Sequence, residues 1–124
     1  MLAKRLEENP ILKPKRNHFW EAQAVFNGCP VKTSGGVSLV YRAVSLPYYS
    51  HLTGDRLPVS SIGTAQSKDG LHFAGRRRFI FPEHSWERFG CEDPRVIKFN
   101  GKYYIFYTAL SAWPPKSRSL DLEK

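Results

Sequence analysis

Cysteine is scarce. Cys29 and Cys91 are the only two, too few for a disulfide scaffold, and both read as free thiols. No CxxC or HxxxH spacing occurs, so no metal site is expected. No apolar run approaches the ~20 residues that a membrane-spanning helix needs, and no membrane partner is expected. The first residues, Met1–Pro10, lack the apolar core of a signal peptide, which points to the cytoplasm. Acidic residues are also few, 11 against 19 Lys and Arg, giving a formal net charge of +8. Such an excess fits a nucleic-acid partner, an anionic small substrate, or plain solubility. The basic residues are dispersed, apart from Arg76-Arg77-Arg78, which reads as a solvated face. No zinc-finger, RRM or KH signature accompanies them, so nucleic acid is not the expected partner.

What the chain does have is β-sheet punctuation. Its 124 residues fit one domain, and 41% hydrophobic content rules out wholesale disorder. Leu2–Glu8 suits one or two helical turns, ended by Asn9-Pro10. Trp20, Ala22, Ala24 and Phe26 recur at a spacing of two, so Trp20–Phe26 is predicted as a strand that Asn27-Gly28 breaks. Pro30–Thr33 and Val37–Val44 form the arms of a hairpin. Leu46–Pro58 reads as an irregular loop carrying Tyr48, Tyr49 and His51. Ser60–Gln66 and Arg77–Phe81 are strands around an Asp69-Gly70 turn, and Pro82–Arg88 is a loop. Trp20, Trp86 and the Tyr103–Tyr107 run are expected in the core. His18, His72 and His84 have no evident partner.

The chain is organised around Gly90–Ser111. Glu92 and Asp93 occupy a turn that Pro94 stiffens. Arg95–Phe99 is a short strand, and Asn100-Gly101 is a strong signal for a tight hairpin turn with positive φ at both residues. Lys102–Tyr107 is the return strand, rich in aromatic and β-branched residues. A paler copy lies upstream in Asn27–Ser45. Aligning Tyr41-Arg42-Ala43 with Tyr107-Thr108-Ala109 places Asn27 on Asp93, Val31 on Ile97, Lys32 on Lys98 and Gly35 on Gly101 without a gap. Recurring hairpins of one design suggest a radial array such as a propeller. One repeat holds about four strands, the content of a blade. The second copy stops after its hairpin, so the chain should supply fewer than two blades and leave an open sheet edge. Residues 1–19 read as an extension, 20–111 as the first blade and the start of a second, and 112–124 as a charged tail.

These residues resemble glycoside hydrolase family 130, the β-mannoside phosphorylases and related mannosidases. The similarity rests on Asn9-Pro10-Ile11-Leu12, on Trp20-Glu21 through Val25-Phe26-Asn27, and on Ser67-x-Asp69-Gly70-x-x-Phe73. Above all it rests on Gly90-Cys91-Glu92-Asp93-Pro94-Arg95, followed by Gly101-Lys102-Tyr103-Tyr104 and Tyr107-Thr108-Ala109. The resemblance implies an all-β, five-bladed β-propeller with a central pocket. It implies inverting cleavage of a β-mannoside by inorganic phosphate, giving mannose 1-phosphate, or by water in hydrolytic members. It implies no cofactor beyond phosphate as co-substrate. Asp93 is then the acid that protonates the departing glycosidic oxygen, through the mannose 3-hydroxyl. Asn27 and Arg42 match positions that contact the sugar, Arg42 near the phosphate, and Glu92 and Arg95 join them as substrate-binding candidates. The rest of the phosphate clamp belongs to later blades, which further copies of this chain or downstream strands would supply.

The residues alone favour one inward acid over two. Ordinary inverting glycosidases space two carboxylates ~6.5–9.5 Å apart, and adjacent strand residues point to opposite faces, which sets Glu92 apart from Asp93. Phosphate is already anionic and needs no base. Other accounts stay open. Asp93 caps a turn while Glu92 pairs with Arg95; Asn27 is a turn former; Arg42 is an edge-strand cation. The whole would then be a non-catalytic carbohydrate-binding module or an inactive remnant.

Overall fold

A computed structural model describes residues 2–112; most of the charged tail and Trp113-Pro114-Pro115 lie outside them. Eight strands and two single 3₁₀ turns make up the regular structure of the described residues. Strands β1 (Ala24–Thr33), β2 (Gly36–Val44), β5 (Ser60–Ser67) and β6 (Ala74–Ile80) form an antiparallel meander. A second hairpin, β7 (Gly90–Phe99) and β8 (Lys102–Leu110), joins it where Ser60 of β5 meets Gly90 in a single parallel pairing. The outcome is one complete four-stranded unit and the first half of another, as the hairpin copies predict. No helix of the described residues is long and apolar enough to cross a membrane.

The repeat runs further than the hairpins. β7 and β8 reproduce β1 and β2 residue for residue at the offset of 66 that separates Asn27 from Asp93. The 3₁₀ turns obey the same offset, Phe19–Glu21 matching Ser85–Glu87. Even the strand-closing bonds repeat: Gln23 N–H donates to the Val44 carbonyl at 3.1 Å, and Phe89 N–H to that of Leu110 at 3.0 Å. The second turn is type I′-like, with Asn100 at φ 48° and Gly101 at φ 74°, as Asn-Gly demands.

β2 shows how alternation builds both cores. Leu39, Tyr41 and Ala43 point one way and pack with Trp20 and Ala65, with Leu12, Val25 and Phe73 at the margin. Val40 points the other way, joining Ile62 and Cys91 and touching Val96, so it sits between the units. Side chains alternate across a strand, so Arg42 shares the face of Val40 and emerges at the junction.

Several expectations need correction. Trp20–Phe26 is not a strand throughout: Phe19–Glu21 is a 3₁₀ turn closed by Glu21 N–H on the His18 carbonyl, 3.0 Å. The alternation misled because Glu21, on the supposed solvent face, is fully buried. Asn27-Gly28 does not end the strand either; the register slips between Phe26 and Cys29 and β1 continues. Leu2–Glu8 is not helical and makes one loose turn, Asn9 N–H to the Leu6 carbonyl at 3.3 Å. Leu46–Pro58 contains a small ladder, β3 (Tyr48–Tyr49) on β4 (Arg56–Leu57). Trp86, Tyr103, Tyr104, Phe106 and Tyr107 are exposed rather than core, because nothing described packs on the far side of β8, where the sheet ends.

Candidate active site at the junction of the two units

Asp93 is not in a turn. It lies within β7 at a β-bulge, where the register slips between Glu92 and Arg95. Its φ is 50°, and that of its repeat partner Asn27 is 49°. Asn and Asp tolerate this left-handed backbone better than other residues with a Cβ. A bulge re-aims a side chain, and two bulges of one design turn Asn27 and Asp93 toward each other. Asn27 Nδ2 donates to Asp93 Oδ1 at 2.6 Å.

Arg42 completes the cluster. Its Nη1 lies 3.3 Å from Asp93 Oδ1, its Nη2 2.5 Å from Glu92 Oε1, and its Nε donates to Ser60 Oγ at 3.0 Å. The guanidinium stacks over the Phe26 ring, 4.8 Å from the centroid. Alternation would have sent Glu92 and Asp93 to opposite faces; the bulge cancels it, and both carboxylates hold one arginine. Glu92 thus pairs with Arg42 and not with Arg95. Arg95 stands outside the cluster, exposed, its Nη1 on the Pro94 carbonyl at 2.7 Å. Asp93 remains 44% exposed, against 20% for Arg42 and 16% for Glu92. Among the described residues both side-chain contacts to Asp93 fall on Oδ1 and none on Oδ2. A guanidinium also has more N–H donors than these contacts use.

The two 3₁₀ turns carry buried carboxylates, Glu21 and Glu87, that sequence reasoning left without a role. Glu21 accepts from the Tyr41 hydroxyl at 2.8 Å and from His18 Nδ1 at 2.7 Å, and forms an ion pair with Arg76 Nη1 3.2 Å away. Glu87 accepts from the Tyr107 hydroxyl at 3.0 Å, the Glu83 N–H at 3.0 Å and the Cys91 thiol at 3.5 Å. Burial opposes the charge of Glu87, but these donors outweigh it and hold its carboxyl below the usual range. Burial, reinforced by the Glu87 charge, pushes the Cys91 thiol up to about 12. Burial and the Glu21 hydrogen bond drive Tyr41 well above an ordinary phenol. These groups fix the corner from which each bulged strand departs. The signal for them was legible: His18-x-Trp20-Glu21 recurs as His84-x-Trp86-Glu87. The three histidines have partners after all, since His72 Nδ1 meets Asp69 Oδ2 at 2.6 Å and His84 stacks on Trp86.

Comparison with known proteins is consistent with this architecture. The family model described as beta-1,4-mannooligosaccharide phosphorylase matches residues 3–119. A 1,2-beta-oligomannan phosphorylase of Thermoanaerobacter sp. (strain X514) is 38% identical over 106 residues, covering 85% of this chain and 35% of that protein. A beta-1,2-mannobiose phosphorylase of the same strain is 39% identical over 111 residues, covering 84% and 36%. Among solved structures, the beta-1,2-mannobiose phosphorylase of Listeria innocua superposes with a TM-score of 0.68 at 23% identity, over 86% of this chain and 44% of that one. A putative glycoside hydrolase of Parabacteroides distasonis gives 0.67 at 27% identity, over 87% and 35%. The chain spans about a third of the length of the curated relatives it matches. Its fold is all-β, that of a five-bladed propeller family of which it supplies fewer than two blades. The chain belongs to glycoside hydrolase family 130.

Proposed function

We propose that this chain carries the acid half of a β-mannoside phosphorylase site. A β-mannosyl oligosaccharide and inorganic phosphate are the substrates, and mannose 1-phosphate is the product. A phosphate oxygen attacks the anomeric carbon as the glycosidic bond breaks, and Asp93 gives its proton to the departing sugar oxygen. Asn27 and Arg42 hold Oδ1 of Asp93 in place while Oδ2 serves the proton. Arg42 uses its remaining donors on phosphate or sugar hydroxyls. Glu92 fixes the guanidinium from the other side. Arg95 takes part only at the rim. Phosphate is itself the nucleophile, so the step calls on no further cofactor. β-1,2 linkage is favoured by the relatives at 38 and 39% identity.

The observation that carries this reading is the meeting of Asn27, Arg42, Glu92 and Asp93 across the two repeated units. It is tested by following mannose 1-phosphate by phosphorus NMR, with β-1,2- and β-1,4-mannobiose and phosphate. The chain is assayed alone and in place of the matched third of the Thermoanaerobacter relative. Asp93→Asn should remove turnover from the chimaera. A chimaera that turns over equally well with Asp93→Asn overturns the proposal.

One observation favours a second reading for the chain by itself. Asp93 is nearly half exposed and, among the described residues, the sheet ends at β8, so without further blades the cluster binds sugar without turning it over. Mannobiose-dependent amide shifts around Asp93, with no product formed, would mark that case.

A further inference from the structure

Arg42 is held between residues that occupy the same place in the two units. At the offset of 66 that relates Asn27 to Asp93, Phe26 answers to Glu92. Phe26 lies opposite Arg42 in the ladder and presents its ring to the guanidinium, 4.8 Å from centroid to Cζ. Glu92 closes on Nη2 from the neighbouring unit. One unit thus offers the arginine an aromatic face where the other offers it a carboxylate. The ring is 41% exposed and stands outside both cores, so packing alone does not account for a phenylalanine there.

The difference has a chemical meaning. An aromatic ring attracts the plane of a guanidinium through its quadrupole and takes up none of its N–H donors. Ser60 accepts from Nε, Asp93 meets Nη1 and Glu92 meets Nη2, and the remaining N–H groups stay available. A carboxylate at position 26, like the one at 92, would consume further donors. It would also set a third negative charge against one guanidinium, in a cluster where Glu92 and Asp93 already outnumber it. An incoming anion would then meet repulsion. The same seat recurs at Arg78, whose Nε donates to Ser61 Oγ at 3.0 Å and whose Cζ lies 4.6 Å from the centroid of Phe81. Among the described residues no carboxylate pairs with Arg78, so a serine hydroxyl and a phenylalanine ring suffice to hold a guanidinium in this fold.

We infer that Phe26 is a positioning residue for phosphate: it fixes the plane of Arg42 without drawing on its charge or its outer N–H groups, and so leaves both to the anion. The inference rests on the reading of Arg42 as a phosphate-binding group given above. It adds that the ring beside the first bulge, and not only the carboxylates at the second, sets the affinity of the site for its anionic substrate.

Phe26→Leu, Phe26→Tyr and Phe26→Glu separate the effect of the ring from those of bulk and charge. In the full chain, the side-chain NMR signals of Arg42 should carry a ring-current shift, lost in Phe26→Leu and kept in Phe26→Tyr. In the chimaera with the Thermoanaerobacter relative, Phe26→Leu should raise KM for inorganic phosphate roughly threefold to thirtyfold, the span of a cation–π contact. The values of kcat and of KM for mannobiose should stay within about twofold, the mark of lost binding at one substrate and not of lost chemistry. Phe26→Tyr should restore the phosphate KM, and Phe26→Glu should raise it beyond Phe26→Leu. An unchanged phosphate KM in Phe26→Leu overturns the inference. So does a Phe26→Tyr no better than Phe26→Leu or Phe26→Glu, or a rise for mannobiose equal to that for phosphate. Failure of the parent reading looks different: Asp93→Asn would turn over whatever stands at position 26, while the ring-current shift of Arg42 would be untouched.

Discussion

Asn27 and Asp93, 66 residues apart, share the same left-handed backbone and are joined by one hydrogen bond of 2.6 Å. Each sits in the bulge of its own unit, so the bond ties the two units at equivalent positions. The bond is local, but the backbone that permits it is demanding. Asn27→Gly keeps the conformation and loses the bond, a cost of about 1 kcal/mol. Asn27→Val loses the bond and adds a left-handed penalty of roughly 1–2 kcal/mol. Urea unfolding should rank wild type above Gly and Gly above Val. A valine variant as stable as the glycine one would show that the bulge at Asn27 is not held in the left-handed region.

Ser60 matters to the site although it touches no substrate. It is buried, it forms the single parallel pairing between the units, and its hydroxyl accepts from Arg42 Nε. Ser60→Ala leaves that N–H unpaired and frees the guanidinium to swing. The loss of about 1 kcal/mol corresponds to roughly a fivefold effect. In the active chimaera it should appear as a raised KM for phosphate, with kcat held within about twofold. Ser60→Thr, which keeps the hydroxyl, should restore most of the affinity. An equal fall in kcat with no change in KM would mean that Ser60 acts on the acid and not on Arg42.

Much of this was legible in the residues. Asn100-Gly101 announced its turn because only a few residue types accept two successive positive φ values. The gapless alignment of Asn27 with Asp93 placed both at one position of a repeat. What escaped were features created by tertiary contact. Alternation separated Glu92 from Asp93, whereas a bulge brings both to Arg42, and no local pattern in Cys91–Arg95 reveals a register slip. Glu21 looked like the polar member of an amphipathic strand, because a lone glutamate carries no mark of burial. Only its recurrence as Glu87, inside the same His-x-Trp-Glu, could have exposed it. Trp86 and Tyr107 were expected in a core because their types belong there; the strand that would cover them is not among the described residues.

The two buried glutamates should differ in their importance. Glu21 answers the cationic Arg76 as well as Tyr41, so Glu21→Ala strands a charge under the sheet, a loss of about 3–5 kcal/mol. The partners of Glu87 are a hydroxyl, a thiol and a backbone N–H. Glu87→Ala should therefore cost less, about 1–3 kcal/mol. Denaturation midpoints at neutral pH will decide. Equal losses would mean that Arg76 adds nothing to the first corner.

The same corners make the protein sensitive to alkali. Cys91 ionises near 9.0 in an open chain but only at about 12 in the fold, and Tyr41 is likewise raised above its ordinary 10.0. Both groups are neutral in either state below about pH 8, so their contribution is then fully present. As pH rises past 9.0 the unfolded chain loses the Cys91 proton and the folded one keeps it. The unfolded state is then favoured by up to about 1.4 kcal/mol per pH unit for each such group. Tyr41 adds its share above 10.0. Stability should accordingly fall between pH 9 and 12, and Cys91→Ala should flatten the first part of that fall while Tyr41→Phe flattens the second. Each variant lowers stability at neutral pH by removing a buried contact, so the slope and not the level carries the result. A slope unchanged in both variants would place the alkaline transition elsewhere, among the lysines, and would detach it from the Glu21 and Glu87 corners.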